Sequence, residues 1–208
     1  MSARVAVLLS GRGSNFLALY EAMSRGEVPA SIVLVVSNRA AAAGLERARK
    51  LGLETVCLPH RGEPRREAHE RKVLERLAVV GAEWICLAGY MRLLSPAFVA
   101  EYPRRILNIH PSLLPAFPGL DVQRQALEYG VKLSGCTVHL VDDGLDSGPI
   151  VVQRAVAVRE DDTPESLAQR ILVEEHRAYP EALRRLLVED WRVEGRRIRF
   201  GPGPGGGS

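Results

Sequence analysis

The first half of the chain alternates short apolar runs with segments whose apolar residues recur every three or four positions. Apolar runs of about four to eight residues are typical of buried strands, and the longer spacing is typical of an amphipathic helix. The pattern predicts strands at 4–9, 32–37, 54–58, 84–87 and 106–110, and helices at 16–25, 40–51 and 65–80, with a further helix beginning at Ser95–Pro96. Regular strand–helix alternation of this kind is typical of a parallel sheet with right-handed crossovers.

The pattern changes after residue 120, where two strands follow each other with only a short loop between them. A connection that short favours antiparallel pairing, because parallel strands need a longer crossover. The predicted elements are a helix at 121–129, strands at 134–141 and 150–158, a capped helix from Thr163 to about 187 with a kink at Pro180, and a terminal hairpin of 191–193 and 196–200.

Together the elements predict an α/β fold. We expect a Rossmann-like, open, mostly parallel sheet with helices on both faces and antiparallel strands in its C-terminal part. A chain of 208 residues fits one domain, expected over residues 1–200. The glycine- and proline-rich tail at 201–208 is expected to be disordered.

Composition narrows the class of protein without identifying it. The chain is 46% hydrophobic and 25% charged, and its net charge of +3 is spread along the sequence, so we expect no nucleic-acid partner. Its longest apolar runs are strand-sized and its first residues lack a signal-peptide pattern, so we expect no membrane span and a cytoplasmic location. The three separated cysteines, Cys57, Cys86 and Cys136, are expected to be reduced core residues, and no metal-ligand spacing is present.

The most informative stretch is the fifth predicted strand and the prolines that end it. Alternate side chains of a strand share a face, so Asn108 and His110 are expected to point the same way. This stretch alone fits two interpretations equally well. One is a buried strand end with two hydrogen-bonded polar residues, and the other is an active site. Leu114–Pro115 is a position where a cis peptide bond can occur.

Two other segments lie at predicted carboxyl ends of strands, where ligands bind in open α/β sheets. Residues 10–15 form a glycine-rich turn before a helix, a pattern that suits a phosphate, with Ser14 and Asn15 able to cap the helix. Residues 88–94 form an apolar loop that suits either a flat hydrophobic ligand or simple packing. In the loop between the antiparallel strands, Asp146 is the aspartate expected to be buried. The convergence of these segments favours an active site.

The motifs SGRGSN at 10–15, LAGYMRLLSPAF at 87–98, LNIHPSLLPAFPGL at 107–120 and LDSGP at 145–149 carry a family resemblance. Together with Glu174–Glu175–His176, they make the chain similar to the glycinamide ribonucleotide formyltransferases of the formyltransferase superfamily, from about Arg4 to the terminal hairpin. The resemblance implies a formyltransferase fold with a nucleotide-binding half at about 1–100 and a folate-binding, catalytic half at about 101–200.

The resemblance implies transfer of a formyl group from 10-formyltetrahydrofolate, the co-substrate, to the amine of glycinamide ribonucleotide in purine biosynthesis, with no metal. The implied catalytic residues are Asn108, His110 and Asp146. Asn108 and protonated His110 would stabilise the oxyanion, and His110 would donate a proton to the leaving folate nitrogen. Asp146 would favour the protonated imidazole and assist proton transfer.

The resemblance also implies the binding residues. Gly13, Ser14 and Asn15 would hold the ribonucleotide phosphate, and Glu175 would contact the same substrate. The folate-binding residues would be Arg66, Met91, Arg92, Leu93, Leu94, Asn108, Val141, Asp142 and Asp146. Two residues depart from the family pattern, Arg12 where asparagine is common and Asp121 where histidine is frequent. The partners would be these two small molecules, and the protein would be a monomer or homodimer.

Three alternatives remain open at this point. A formyltetrahydrofolate hydrolase shares the catalytic trio but has an additional N-terminal domain, which is not expected because the first strand begins at about residue 4. A methionyl-tRNA formyltransferase would need a further C-terminal domain and a basic surface. A non-catalytic sugar-phosphate-binding module would not need a titratable histidine beside a carboxylate.

Overall fold

The computed structural model describes residues 2–61, 63 and 65–202. The chain divides into two compact units, Met1–Asn108 and Ile109–Ser208. The single domain expected over residues 1–200 stays a prediction. Of the tail expected to be disordered, residues 203–208 lie outside the described residues.

The first unit is a parallel sheet with its helices. Its elements are β1 (Ala3–Leu9), α1 (Ser14–Ser24), β2 (Ala30–Ser37), α2 (Ala43–Lys50), β3 (Thr55–Cys57), α3 (Arg66–Val79), β4 (Trp84–Leu87), α4 (Pro96–Glu101) and β5 (Ile106–His110), whose last two residues belong to the second unit. The strands lie in the order β3-β2-β1-β4-β5, and each neighbouring pair is parallel. Strand order therefore reverses between β1 and β4, a topological switch point of the kind where ligands bind.

The apolar runs form central strands because parallel strands are covered on both faces. Val5 to Leu9 in β1 are fully buried, and all four residues of β4 are buried. The bounds of β4 and β5 coincide with the predicted ones. In the described part of the chain the three cysteines form no disulfide; Cys86 and Cys136 are buried and Cys57 is partly exposed.

The second unit carries the antiparallel strands. Its elements are α5 (Val122–Tyr129), β6 (Leu133–Leu140), β7 (Ile150–Ala157), α6 (Pro164–Val188), β8 (Trp191–Glu194) and β9 (Arg197–Phe200). Strands β6 and β7 pair antiparallel as predicted, and β8 and β9 form the predicted hairpin, while β9 also adds to β7 in parallel. The fold class is thus the predicted one, an open, mostly parallel α/β sheet with antiparallel strands in its C-terminal part.

Helix α6 packs on β6 and β7 and begins with a reciprocal cap. The Thr163 hydroxyl accepts the Ser166 N–H at 3.2 Å, and the Ser166 hydroxyl accepts the Thr163 N–H at 3.0 Å. The helix continues through Pro180 to Val188. The Leu114–Pro115 peptide bond is cis. Within the described part of the chain, no helix has the length and apolar character needed to cross a membrane.

Candidate active site

The glycine-rich turn after β1 ends at Gly13, where both the backbone conformation and the available space require glycine. Gly13 is the N-cap of α1 and has a φ of 74°, in the left-handed region. A Cβ there would lie 2.8 Å from the Cα of Gly44. The expectation that Ser14 and Asn15 cap the helix is wrong, because both lie inside its first turn and the described residues give this helix no side-chain cap. The first turn directs backbone N–H groups outward, an arrangement that suits an anion.

The start of helix α2 holds the same turn from the other side. The Gly44 N–H donates to the Gly11 carbonyl at 3.0 Å. A Cβ on Gly44 would lie 2.7 Å from the Leu9 side chain and 3.2 Å from the Gly11 carbonyl oxygen, so there is little room for a side chain on this side of the contact. The turn is therefore shaped by backbone packing within the first unit.

The loop after β4 runs beside this turn at the switch point. The Ser10 N–H donates to the Gly89 carbonyl at 3.0 Å, and the Met91 N–H donates to the Ser10 hydroxyl at 2.9 Å. Met91 and Leu93 are 54% and 53% exposed, whereas Leu94 is buried and Arg92 is half-buried. The loop thus presents two large apolar side chains at the carboxyl end of β4.

Arg66, the first residue of α3, is half-buried. Its Nε lies 3.9 Å from a carboxylate oxygen of Glu67 and of Glu70. A cation at a helix N-terminus is opposed by the helix dipole. An anion bound at this helix end would therefore be attracted both by the guanidinium and by the dipole.

Strand β5 delivers the two polar residues that its alternation placed on one side. Asn108 is partly exposed, and His110 is 4% exposed. The His110 Nε2 lies 2.8 Å from the Phe117 carbonyl oxygen, and its Nδ1 lies 3.4 Å from the Asp146 Oδ2. Both ring nitrogens of His110 therefore face oxygen atoms that can accept a hydrogen bond.

Asp146 is held in place by its backbone and by a second contact. Its φ of 49° is in the left-handed region, which aspartate tolerates better than most residues. The Gly119 N–H donates to its Oδ2 at 2.9 Å. Phe117 and Asp121 have φ values of 51° and 54°, so the segment facing Asp146 holds two further left-handed residues. Backbone strain of this kind concentrates at functional sites.

A second histidine, His139, lies beside the same carboxylate and was not predicted from the sequence. Its Nε2 is 3.7 Å from the Asp146 Oδ1, and its Nδ1 lies 3.0 Å from the Leu140 carbonyl oxygen. Burial lowers the pKa of His139 from its ordinary value, although the carbonyl and Asp146 act in the opposite direction. The one available signal was a histidine in the otherwise apolar end of strand β6.

The other predicted site residues of the second unit, Val141, Asp142 and Glu175, are partly or fully buried. Asp142 holds the loop before Asp146, since its Oδ1 accepts the Ser147 hydroxyl at 2.7 Å. Val141 is half-buried beside it. Glu175 is a buried carboxylate of α6, 7% exposed. Burial first, and then the charge of Glu175, raise the pKa of Cys136 to about 12.

Across the described residues, no group of three or more acidic, histidine or cysteine side chains is placed to hold a metal ion.

Comparison with known proteins identifies the family. The formyl transferase family model matches residues 3–183. The chain is 53% identical over 182 residues to the trifunctional purine biosynthetic protein adenosine-3 of Drosophila pseudoobscura pseudoobscura, covering 86% of this chain but only 13% of that protein. It is 42% identical over 192 residues to the phosphoribosylglycinamide formyltransferase of Escherichia coli K12, covering 92% of this chain and 88% of that one.

A solved structure agrees with the sequence comparisons. The glycinamide ribonucleotide transformylase 1 of Symbiobacterium toebii superposes with a TM-score of 0.93 at 50% identity, covering 96% of this chain and 94% of that one. Since the family model matches most of the chain, the chain belongs to the formyl transferase family, as its motifs predicted.

Proposed function

We propose that this chain transfers the formyl group of 10-formyltetrahydrofolate to the amine of glycinamide ribonucleotide. The products are formylglycinamide ribonucleotide and tetrahydrofolate, and the reaction belongs to purine biosynthesis. The observation that carries the proposal is the buried pair of His110 Nδ1 and Asp146 Oδ2, 3.4 Å apart, with Asn108 two residues before His110 on the same strand. The names of the E. coli and S. toebii relatives support the choice of substrates.

The trio of Asn108, His110 and Asp146 can serve each step of this reaction. The amine attacks the formyl carbon, and the carbonyl oxygen becomes an oxyanion to which the Asn108 amide and the His110 imidazolium donate hydrogen bonds. The Asp146 carboxylate faces the His110 Nδ1 and takes the proton of the attacking amine, directly or through water. His110 then donates its proton to the folate nitrogen as the carbon–nitrogen bond breaks.

Substrate binding is assigned to the other residues that the family resemblance implied. The backbone at Gly13, Ser14 and Asn15 binds the ribonucleotide phosphate, and Glu175 contacts the same substrate. The exposed side chains of the 91–94 loop contact the folate ring system, and the Arg66 guanidinium pairs with a folate carboxylate. The folate residues we assign are Arg66, Met91, Arg92, Leu93, Leu94, Asn108, Val141, Asp142 and Asp146.

The partners in this proposal are two small molecules. The reaction as written needs no metal ion, since every proton and electron pair is accounted for by the substrates and the trio. A monomer or homodimer, a cytoplasmic location and the lack of a nucleic-acid partner stay predictions of the sequence.

The decisive experiment asks whether formyl transfer requires the amine. Purified protein is given 10-formyltetrahydrofolate with and without glycinamide ribonucleotide, and release of tetrahydrofolate is followed by absorbance. We expect release only when the ribonucleotide is present. Equal release in its absence would identify a formyltetrahydrofolate hydrolase and refute the proposal.

His110 is tested separately from substrate choice. Replacing His110 with alanine removes an oxyanion donor and the proton donor, so we expect kcat to fall by about 100- to 10,000-fold. The dissociation constant of the ribonucleotide should change much less, because His110 acts on the reacting atoms. An unchanged kcat would remove His110 from the mechanism.

A further inference from the structure

Glu70 is a buried carboxylate that the proposed reaction does not use. It lies in α3, one helical turn after Arg66, and is 5% exposed. Its Oε1 accepts the N–H of Ser95 at 2.8 Å, and its Oε2 accepts the hydroxyl of the same residue. Buried charges need such partners. Both carboxylate oxygens of Glu70 therefore accept hydrogen bonds from the same residue, Ser95.

Ser95 is the point where the 91–94 loop ends and α4 begins. Its hydroxyl also accepts the Phe98 N–H at 3.1 Å and so caps that helix. At the other end of the loop, the Met91 N–H donates to the Ser10 hydroxyl, which donates in turn to the Asn38 Oδ1 at 2.6 Å. Polar side chains from outside the loop thus fix both of its ends, and the Met91 and Leu93 side chains stay exposed between them.

The surroundings of Glu70 belong to the same part of the site. The Arg66 Nε lies 3.9 Å from the Glu70 Oε1. Tyr90, just before the loop, is buried, and burial together with the smaller effect of the Glu70 charge raises its pKa to about 12. The carboxylate therefore contacts the end of the loop at Ser95 and lies beside the guanidinium assigned to the folate carboxylate.

We propose that Glu70 is a positioning residue for the folate substrate, which acts by holding Ser95 and with it the apolar wall of residues 91–94. The inference rests on the proposed folate assignment of that loop. Without the carboxylate the loop occupies its binding-competent arrangement for a smaller fraction of the time, and the apparent affinity falls by that fraction. The ribonucleotide, assigned to the turn after β1, is not bound by this loop.

The test measures binding apart from catalysis. The dissociation constant of tetrahydrofolate is measured by calorimetry without ribonucleotide, and the KM of each substrate is measured in the transfer assay. For Glu70→Ala we expect the tetrahydrofolate dissociation constant and the 10-formyltetrahydrofolate KM to rise at least tenfold, with the ribonucleotide KM within twofold. Ser95→Ala should act in the same direction, and Ser95→Thr should restore affinity because it keeps the hydroxyl.

Glu67→Gln is the matched control, because Glu67 is exposed and lies at the same 3.9 Å from Arg66 without contacting Ser95. It should leave every constant within twofold. Equal rises in both KM values, or a loss in Glu67→Gln as large as in Glu70→Ala, would overturn the positioning role. If Glu70→Ala does not fold, the Ser95 variants decide. A wild-type chain that binds no tetrahydrofolate would overturn the proposed function, and the positioning role with it.

Discussion

Replacing Gly13 with alanine tests whether the backbone shape of the turn after β1 is needed for the proposed binding of the ribonucleotide phosphate. Gly26 provides a matched control at the other end of the same helix. Both glycines have a φ of 74°, but a Cβ at Gly26 would meet no atom within 4 Å, whereas one at Gly13 would lie 2.8 Å from the Gly44 Cα. The two variants therefore share the conformational penalty and differ in the overlap.

The shared penalty for alanine in the left-handed region is roughly 1–2 kcal/mol. In a chain of this length that loss lowers the midpoint of thermal unfolding by about 2–8 °C. Gly13→Ala must in addition separate two backbones, so we expect a larger loss of stability. If the shift removes one hydrogen bond to a charged phosphate, worth about 1.5–3 kcal/mol, the ribonucleotide KM rises about 10- to 150-fold.

The assay combines thermal unfolding with steady-state kinetics in which each substrate is varied in turn. Gly26→Ala should lower the unfolding midpoint and leave both KM values within twofold. Gly13→Ala should lower the midpoint further and raise the ribonucleotide KM alone. The reasoning is refuted if the two variants have the same ribonucleotide KM, or if Gly13→Ala changes only the KM of the folate.

Three further predictions concern the Asp146 carboxylate, the buried side chain of His69 and the close packing at Gly148. Asp146→Asn should lower kcat by about 100- to 10,000-fold, whereas Asp143→Asn, in the exposed part of the same loop, should not; equal effects would contradict this. Burial lowers the pKa of His69, so the free energy of unfolding in urea should fall as the pH drops below about 6.5, by up to about 1.4 kcal/mol per pH unit, and His69→Gln should flatten that slope. Gly148→Ala, whose Cβ would lie 1.8 Å from the Leu140 carbonyl oxygen, should cost at least about 1–3 kcal/mol of stability, and unchanged stability would disprove the overlap.

The central strands β1 and β4 were predictable because each is an almost continuous apolar run, as burial on both faces of the sheet requires. The first residues of the helices were less predictable. Helix α2 was expected from residue 40 but begins at Ala43, and its second residue, Gly44, donates its N–H to the Gly11 carbonyl. Likewise the pairing of β9 with β7 depends on contacts distant in sequence, whereas its hairpin with β8 is local. Local patterns do not contain these distant partners.

The residues of the candidate site also fall into those that local patterns predicted and those that they did not. The HPSLLP and LDSGP motifs led to His110 and Asp146, which lie together in the folded chain. His139 and Glu70 were missed, because one histidine in an apolar strand and one glutamate in an amphipathic helix have the local pattern of structural residues. What distinguishes them is burial against a particular partner, Asp146 for one and Ser95 for the other.

Asp146 lies between two buried histidines, His110 and His139. The hydrogen bonds of these histidines determine which of them interacts with the carboxylate. His139 has its pKa lowered by burial and is neutral near neutral pH, with its Nδ1–H donated to the Leu140 carbonyl. In that tautomer the Nε2 that faces Asp146 at 3.7 Å is the unprotonated ring nitrogen. A protonated His139 would place its own positive charge beside the carboxylate that the proposed reaction pairs with His110. Burial of His139 therefore leaves the negative charge of Asp146 directed at His110, which is the condition that the proposed proton transfer requires.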